Sequence, residues 1–235
     1  MSTHLGSSIH FADETSRLRQ ILNEKTALTE EVKERVLSFY EFVQKENQAQ
    51  NLTRLISPAD FFQGHLLDVL ELLHMECLVY PALDLGSGVG VPGLLASILM
   101  PKSTSYAWIL AESEARKAEY LERAVIHLNL VPHVTVFAGR AEAYLKQHTV
   151  ESIVIRAVGP VSRIYPWLRS CSTWNNLVLF KGPGWEDEWS QFQKTKWRQE
   201  LKLQKVHLYR AGSGETQRER KIILLQRVPR GTKID

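Results

Sequence analysis

The chain contains only two cysteines, Cys77 and Cys171, in 235 residues, so no disulfide scaffold can hold it together. Both lie beside apolar residues and read as small buried hydrophobes in a reducing compartment. No apolar run approaches the ~20 residues that cross a bilayer. Met1–Phe11 lacks the basic-then-apolar order of a secretory signal. These absences point to the cytoplasm and away from a membrane. Internal repeats and low-complexity tracts are lacking as well, and 29 Lys+Arg against 26 Asp+Glu leave a net charge of only +3. What is present is the composition of a folded globular protein, 44% apolar, 9% aromatic and 23% charged. A chain of this length buries roughly 70% of its unfolded surface, enough for one substantial core.

The small net charge hides an asymmetry. Residues 181–235 hold 13 basic and 7 acidic residues, a local balance of +6, against −3 for the preceding 180. A polyanionic partner on the C-terminal side would suit that balance, although scattered solvated charges would produce the same count. The pattern of elements also changes along the chain. Apolar residues recur at helical spacing around 14–22, in 30–44 behind Thr29, and after Ser57-Pro58. Residues 1–78 therefore read as a helical extension or cap. From residue 79 to 235 short apolar strands alternate with helices, with strands expected at 82–85, 106–111, 134–137, 153–157, 177–180, 203–209 and 221–226. Alternation of this kind predicts an α/β fold, a mostly parallel seven-stranded sheet covered by helices on both faces. The last two strands lack an intervening helix, which predicts an antiparallel C-terminal hairpin. That ending departs from dinucleotide-binding dehydrogenases and is the habit of class I S-adenosylmethionine-dependent methyltransferases.

The strongest local signal is Asp84-Leu85-Gly86-Ser87-Gly88-Val89-Gly90-Val91-Pro92-Gly93. A buried strand runs into an acidic residue and closely spaced glycines, then into a helix. Glycines allow a tight turn and close approach of a ligand to the backbone. Gly88, Gly90 and Gly93 also satisfy the G-x-G-x-x-G dinucleotide pattern, which alone is weak. Asp84 at the strand end suits the α-ammonium of an amino-acid-bearing cofactor, directly or through water, better than a pyrophosphate. Glu112, ending the second strand, is placed for the hydroxyls of a ribose. Ala141 and Glu142, after the third strand, are placed for an adenine edge. S-adenosylmethionine is thus the favoured ligand and NAD the alternative.

Arg156 and Lys181 end the fourth and fifth strands, where ligands of such sheets bind, and two cations there favour an anionic substrate. His65 and Asp68, three residues apart on one helix, can share a face; packing around a buried hydrogen bond and a role in closing the site are equally open. No clustered Cys or His suggests a metal. Trp185, Trp189 and Phe192 recur at helical spacing and read as core, with base stacking as the alternative.

Taken in order, these motifs resemble one family, the bacterial small-subunit (16S) ribosomal RNA guanine-N7 methyltransferases, also named glucose-inhibited division protein B. The resemblance spans roughly residues 30–227. It rests on Asn51-Leu52-Thr53, His65-Leu66-Leu67-Asp68, the 84–93 string, Glu112-Ser113, Arg140-Ala141-Glu142, Arg156-Ala157 and Lys181-Gly182. It implies methyl transfer from S-adenosyl-L-methionine to N7 of a guanosine in small-subunit rRNA, free or in a ribosomal particle. It further implies that Gly86, Gly88, Gly90 and Val91 shape the cofactor pocket, that Glu112 meets the ribose and Ala141 and Glu142 the adenine, and that Arg156 lies near the methyl donor. Lys181, Arg218, Arg220 and Lys221 become RNA-binding candidates. Glu112 replaces the aspartate usual at that position, a longer carboxylate that still reaches. N7 of neutral guanine carries an exposed lone pair, so no general base is expected; Arg156, Lys181, His65 and Asp68 are positioning candidates. A methyltransferase acting on a protein or small molecule, an NAD-dependent enzyme and a non-catalytic RNA-binding protein are the alternatives. Oligomeric state is not legible.

Overall fold

Seven runs of aliphatic and β-branched residues pair into a single sheet in the computed structural model, which describes residues 3–101, 104–171, 173–212, 214 and 217–228. The strands are β1 (Ala82–Leu85), β2 (Trp108–Glu112), β3 (Val134–Ala138), β4 (Ser152–Arg156), β5 (Asn176–Lys181), β6 (Leu201–Ala211) and β7 (Arg218–Arg227). Their order is β3-β2-β1-β4-β5-β7-β6. Pairings among β1 to β5 are parallel, and β7 is antiparallel to both β5 and β6. The order in which strands are added therefore switches sides between β1 and β4, which opens a crevice at the carboxyl ends of those strands.

Alternation along each strand divides the core in two. Ala82, Leu110, Val154 and Val178 face one way, toward α1 (Thr3–Lys25), α2 (Glu30–Gln50), α3 (Pro58–Phe61), α4 (Leu67–His74), α5 (Gly93–Leu99) and α6 (Ala115–His127). Leu83, Leu85, Ala111, Ile155 and Leu179 face the other way, toward α7 (Ala141–Leu145), α8 (Val161–Arg169) and α9 (Trp185–Gln193). Leu18, Val36 and Phe61 join the first cluster with the sheet's own residues, so the N-terminal helices form much of one covering layer. Local capping sets their starts. Thr29 Oγ1 accepts from Val32 N, and Ser57 Oγ accepts from Asp60 N.

The expected elements all form, with shifted ends. α1 begins at Thr3, ahead of the helical spacing around 14–22 that marked it in the sequence. Pro166 lies inside α8 without ending it. Two irregularities bear on function. Phe62–Leu66 is a π-helical turn between α3 and α4, and in β6 the register slips between Leu203 and Lys205. An extra residue in a strand moves every later side chain to the opposite face. Leu201 and Leu203 accordingly pack with α9's side of the core, whereas Tyr209 and Ala211 are buried on the other. No described helix is long and apolar enough to cross a membrane.

Candidate active site

The turn after β1 is shaped by backbone conformation. Gly86 has φ +75°, in the left-handed region that glycine adopts without strain. Gly86 N and Ser87 N donate to Ala111 O at 2.9 and 3.3 Å, which binds the turn to β2. Gly93 is needed for a different reason: a Cβ there would lie 2.6 Å from Leu110 Cδ2 and 2.9 Å from Asp84 Cβ, so only glycine lets α5 start this close to the sheet. Gly88 and Gly90 complete the loop with φ +55° and +90°.

Asp84 serves this turn from within. It is 1% exposed and faces α5, not the crevice. Its Oδ2 accepts from Gly93 N at 2.9 Å, and Oδ1 has no hydrogen-bond partner among the described residues. Burial pushes its pKa up to about 7, against the opposing pull of the Gly93 amide. Direct contact with a cofactor ammonium is closed in this conformation, because alternation along β1 gives the crevice Leu85 and turns Asp84 inward. Glu112 is also buried. Its Oε2 accepts from Gly88 N and its Oε1 from Glu114 N, both at 2.9 Å, so it braces the glycine turn.

Beside the turn lies a cleft of ≈ 240 Å³. Gly86, Ser113, Ala141 and Glu142 rim it, and Val158 and Trp167 form its apolar wall. Ala141 and Glu142, the candidates for an adenine edge, both line this cleft. Val158 and Trp167 carried no local signal; they arrive through the path of the chain after β4. Val91, by contrast, is buried among apolar side chains and is not on the cleft wall.

On the opposite face, at the same edge, is a closed polar cluster. His65 is 3% exposed. Arg156 Nη2 donates to its Nδ1 at 3.0 Å, which leaves the ring proton on Nε2, shared with Thr53 Oγ1 at 3.0 Å. Burial and the neighbouring Arg156 charge push the His65 pKa down to about 3. Asp68 Oδ1 accepts from Tyr209 Oη at 2.7 Å and from Arg220 Nη1 at 2.5 Å. Asp68 Oδ2 lies 3.4 Å from Arg156 Nη1, which makes no hydrogen bond to any described residue. The π-turn carries His65 and the β6 bulge delivers Tyr209, so both irregularities converge here.

Comparison with known proteins agrees with this geometry. The family described as GidB, rRNA small subunit methyltransferase G, matches residues 32–222. A ribosomal RNA small subunit methyltransferase G from Rhodopirellula baltica is 35% identical over 168 residues, covering 71% of each chain. The chain belongs to this family. A Thermotoga neapolitana protein of the same name is 29% identical and covers 78% of this chain and 79% of its own. Among solved structures, an O-methyltransferase from Bacillus cereus in complex with S-adenosylhomocysteine aligns over 92% of this chain and 99% of its own. Its TM-score is 0.54 at 15% identity, which shows the shared fold.

The GidB family uses S-adenosylmethionine, and the residues here fit it. The crevice has Gly86 exposed at its rim, small residues at Ser113 and Ala141, and an apolar wall for a flat ring, with the Glu112 carboxylate buried behind it as a brace of the turn. The basic candidates sort differently from expectation. Lys181 Nζ pairs with Glu188 Oε1 at 2.7 Å and donates to Gly159 O at 2.8 Å. Lys221 is 7% exposed and pairs with Glu186 and Glu219, and Arg220 is held by Asp68. Arg218 alone of these four is exposed. Arg54, Arg116, Arg140, Arg163 and Arg210 are exposed and have no ion pair to any described residue. They lie on segments at the carboxyl edge: before α3, after β2, after β3, after β4 and at the end of β6. Trp185 and Phe192 are buried and Trp189 stacks between them, at 5.5 and 5.3 Å between ring centroids, as core packing requires. No described His, Cys, Asp and Glu group could hold a metal ion.

Proposed function

We infer that this GidB-family chain transfers a methyl group to N7 of a guanosine in small-subunit ribosomal RNA, in the cytoplasm. The observation that carries the reading is the cleft between the Gly86 turn and the Val158–Trp167 wall, at the crevice where the strand order switches sides. S-adenosylmethionine, when bound, supplies an electrophilic sulfonium methyl. Gly86 and Ser113 leave backbone and small side chains at the rim, Glu112 offers its remaining lone pairs beside Ser113, and the Ala141–Glu142 backbone is set for an adenine edge.

The polar cluster supports a reaction without proton abstraction. His65 has its Nδ1 lone pair committed to Arg156 and its Nε2 proton committed to Thr53. With a pKa near 3 it stays neutral at physiological pH but has no free lone pair to act as a base. Guanine N7 needs none. Catalysis then rests on alignment and on excluding water. The unpaired arginines at the same edge suit phosphates of a folded RNA, with the base delivered between them.

The test is methyl transfer from labelled S-adenosylmethionine to small-subunit particles lacking the modification, followed by nucleoside analysis. Label in 7-methylguanosine is the expected result. Label in another nucleoside overturns the atom assignment, and label in protein favours the second class of acceptor. Binding of NADH in place of S-adenosylhomocysteine in calorimetry would overturn the cofactor.

A further inference from the structure

We propose that Lys181 and Glu188 form an internal clamp that positions the apolar wall of the cofactor cleft, so that Lys181 serves methyl transfer through Val158 and not by touching RNA. The inference rests on the cleft being the cofactor site.

The chain between β4 and α8 takes an irregular path at that site. Ala157 has φ +57°, a conformation that L side chains avoid unless their surroundings hold it. Val158 follows, and its Cγ2 lies 3.3 Å from where a Cβ on Gly86 would stand. The next residues, Gly159 and Pro160, lead into α8, which carries Trp167 to the same wall.

Two side chains from other elements secure this path. Lys181 Nζ, from the end of β5, donates to Gly159 O at 2.8 Å. Glu188 Oε1, from α9, accepts from Val161 N at 2.6 Å, the first amide of α8, which has no partner within the helix. The two are joined at 2.7 Å, with side chains 10% and 18% exposed. A carbonyl before α8 and an amide at its start are thus gripped by one buried ion pair. A phosphate reaching Lys181 would have to compete with Glu188 in this enclosed place, at a large desolvation penalty. The position at a strand end, which suggests a substrate ligand, here serves to set the wall.

Lys181→Met removes the ammonium and keeps the apolar stem. It is expected to weaken S-adenosylhomocysteine binding in calorimetry by about tenfold. The KM for small-subunit particles, at saturating S-adenosylmethionine, should change less than about twofold. Glu188→Gln retains an acceptor for Val161 N and should stay within about threefold of the parent affinity, whereas Glu188→Ala should fall as Lys181→Met does. Thermal unfolding identifies the variants that fold, and the Glu188 pair decides the matter if Lys181→Met does not. Unchanged affinity in Lys181→Met with a raised KM for particles would overturn the clamp in favour of an RNA contact. Parent-like affinity in Glu188→Ala would overturn it too. A parent protein that binds no S-adenosylhomocysteine would instead defeat the cofactor reading.

Discussion

The two faces of the sheet end differently at the same carboxyl edge. On the face covered by α1 to α6, the edge is closed by His65, Arg156, Asp68, Arg220 and Tyr209, bonded to one another. On the face covered by α7 to α9, it opens as the cleft, rimmed by Gly86, Ser113 and Ala141 together with Arg140 and Glu142, and walled by Val158 and Trp167. The face whose charges are paired with one another is the closed one. A cation at a strand end is therefore poor evidence of a ligand in this chain, since a buried charge needs an internal partner before it can be tolerated. Small residues and bare backbone mark the recess better.

The largest break in this contrast should come from Gly86→Asp. A side chain at φ +75°, against Val158 and at the rim of the cleft, brings both strain and a carboxylate. S-adenosylhomocysteine affinity should drop at least about 100-fold in calorimetry, while the closed cluster is untouched. Asp68→Ala attacks the other face. It leaves Arg156, Arg220 and Tyr209 without their carboxylate, and denaturant unfolding should show a loss of about 3–5 kcal/mol. Arg17→Ala, which breaks the exposed Asp13 pair, should change stability by less than about 1 kcal/mol.

A smaller effect sharpens the comparison through pH. The folded-state pKa of His65 is about 3, below the ~6.5 of an unfolded histidine. Between these values the unfolded chain binds the extra proton, so stability falls as pH drops from about 6.5 toward 3. His65→Gln removes this titration, and its Tm should decline less between pH 6.5 and 4 than that of the parent. Asp84 has the opposite sign. Its raised pKa, about 7, makes its contribution greatest below about 3.9 and progressively lost as pH rises through 7. Asp84→Asn should therefore gain Tm relative to the parent as pH is raised from 5 to 8. The smallest effect belongs to the exposed arginines. Arg54→Ala and Arg210→Ala should each lower the salt dependence of particle binding by about one unit of slope, with S-adenosylhomocysteine affinity unchanged.

Much of this was legible in the chain. The alternation of short strands and amphipathic helices predicted the parallel sheet and its hairpin, because period-2 and period-3.6 patterns are local. The glycine string marked the turn after β1, and Ala141 and Glu142 lie on the cleft beside it. Side-chain direction was less accessible. Asp84 and Val91 flank the glycine turn yet point into the core, and the burial of Lys181 and Lys221 depends on acidic residues of α9 that no spacing rule connects to them. Trp167 reaches the cleft wall through the path of the chain after β4, and nothing local separated it from Trp185.

The sequence by itself determined the order of elements, the glycine turn and the family, since each is written in contiguous residues. Only the tertiary structure decided which charges are paired inside the protein and which stay exposed. That choice depends on partners far apart in sequence: Arg156 with His65, Asp68 with Tyr209, and Lys181 with Gly159 and Glu188. It depends equally on a one-residue bulge in β6 that turns Tyr209 toward Asp68. Desolvation acts on the assembled core, so the role of a charged residue is settled only when its surroundings close around it.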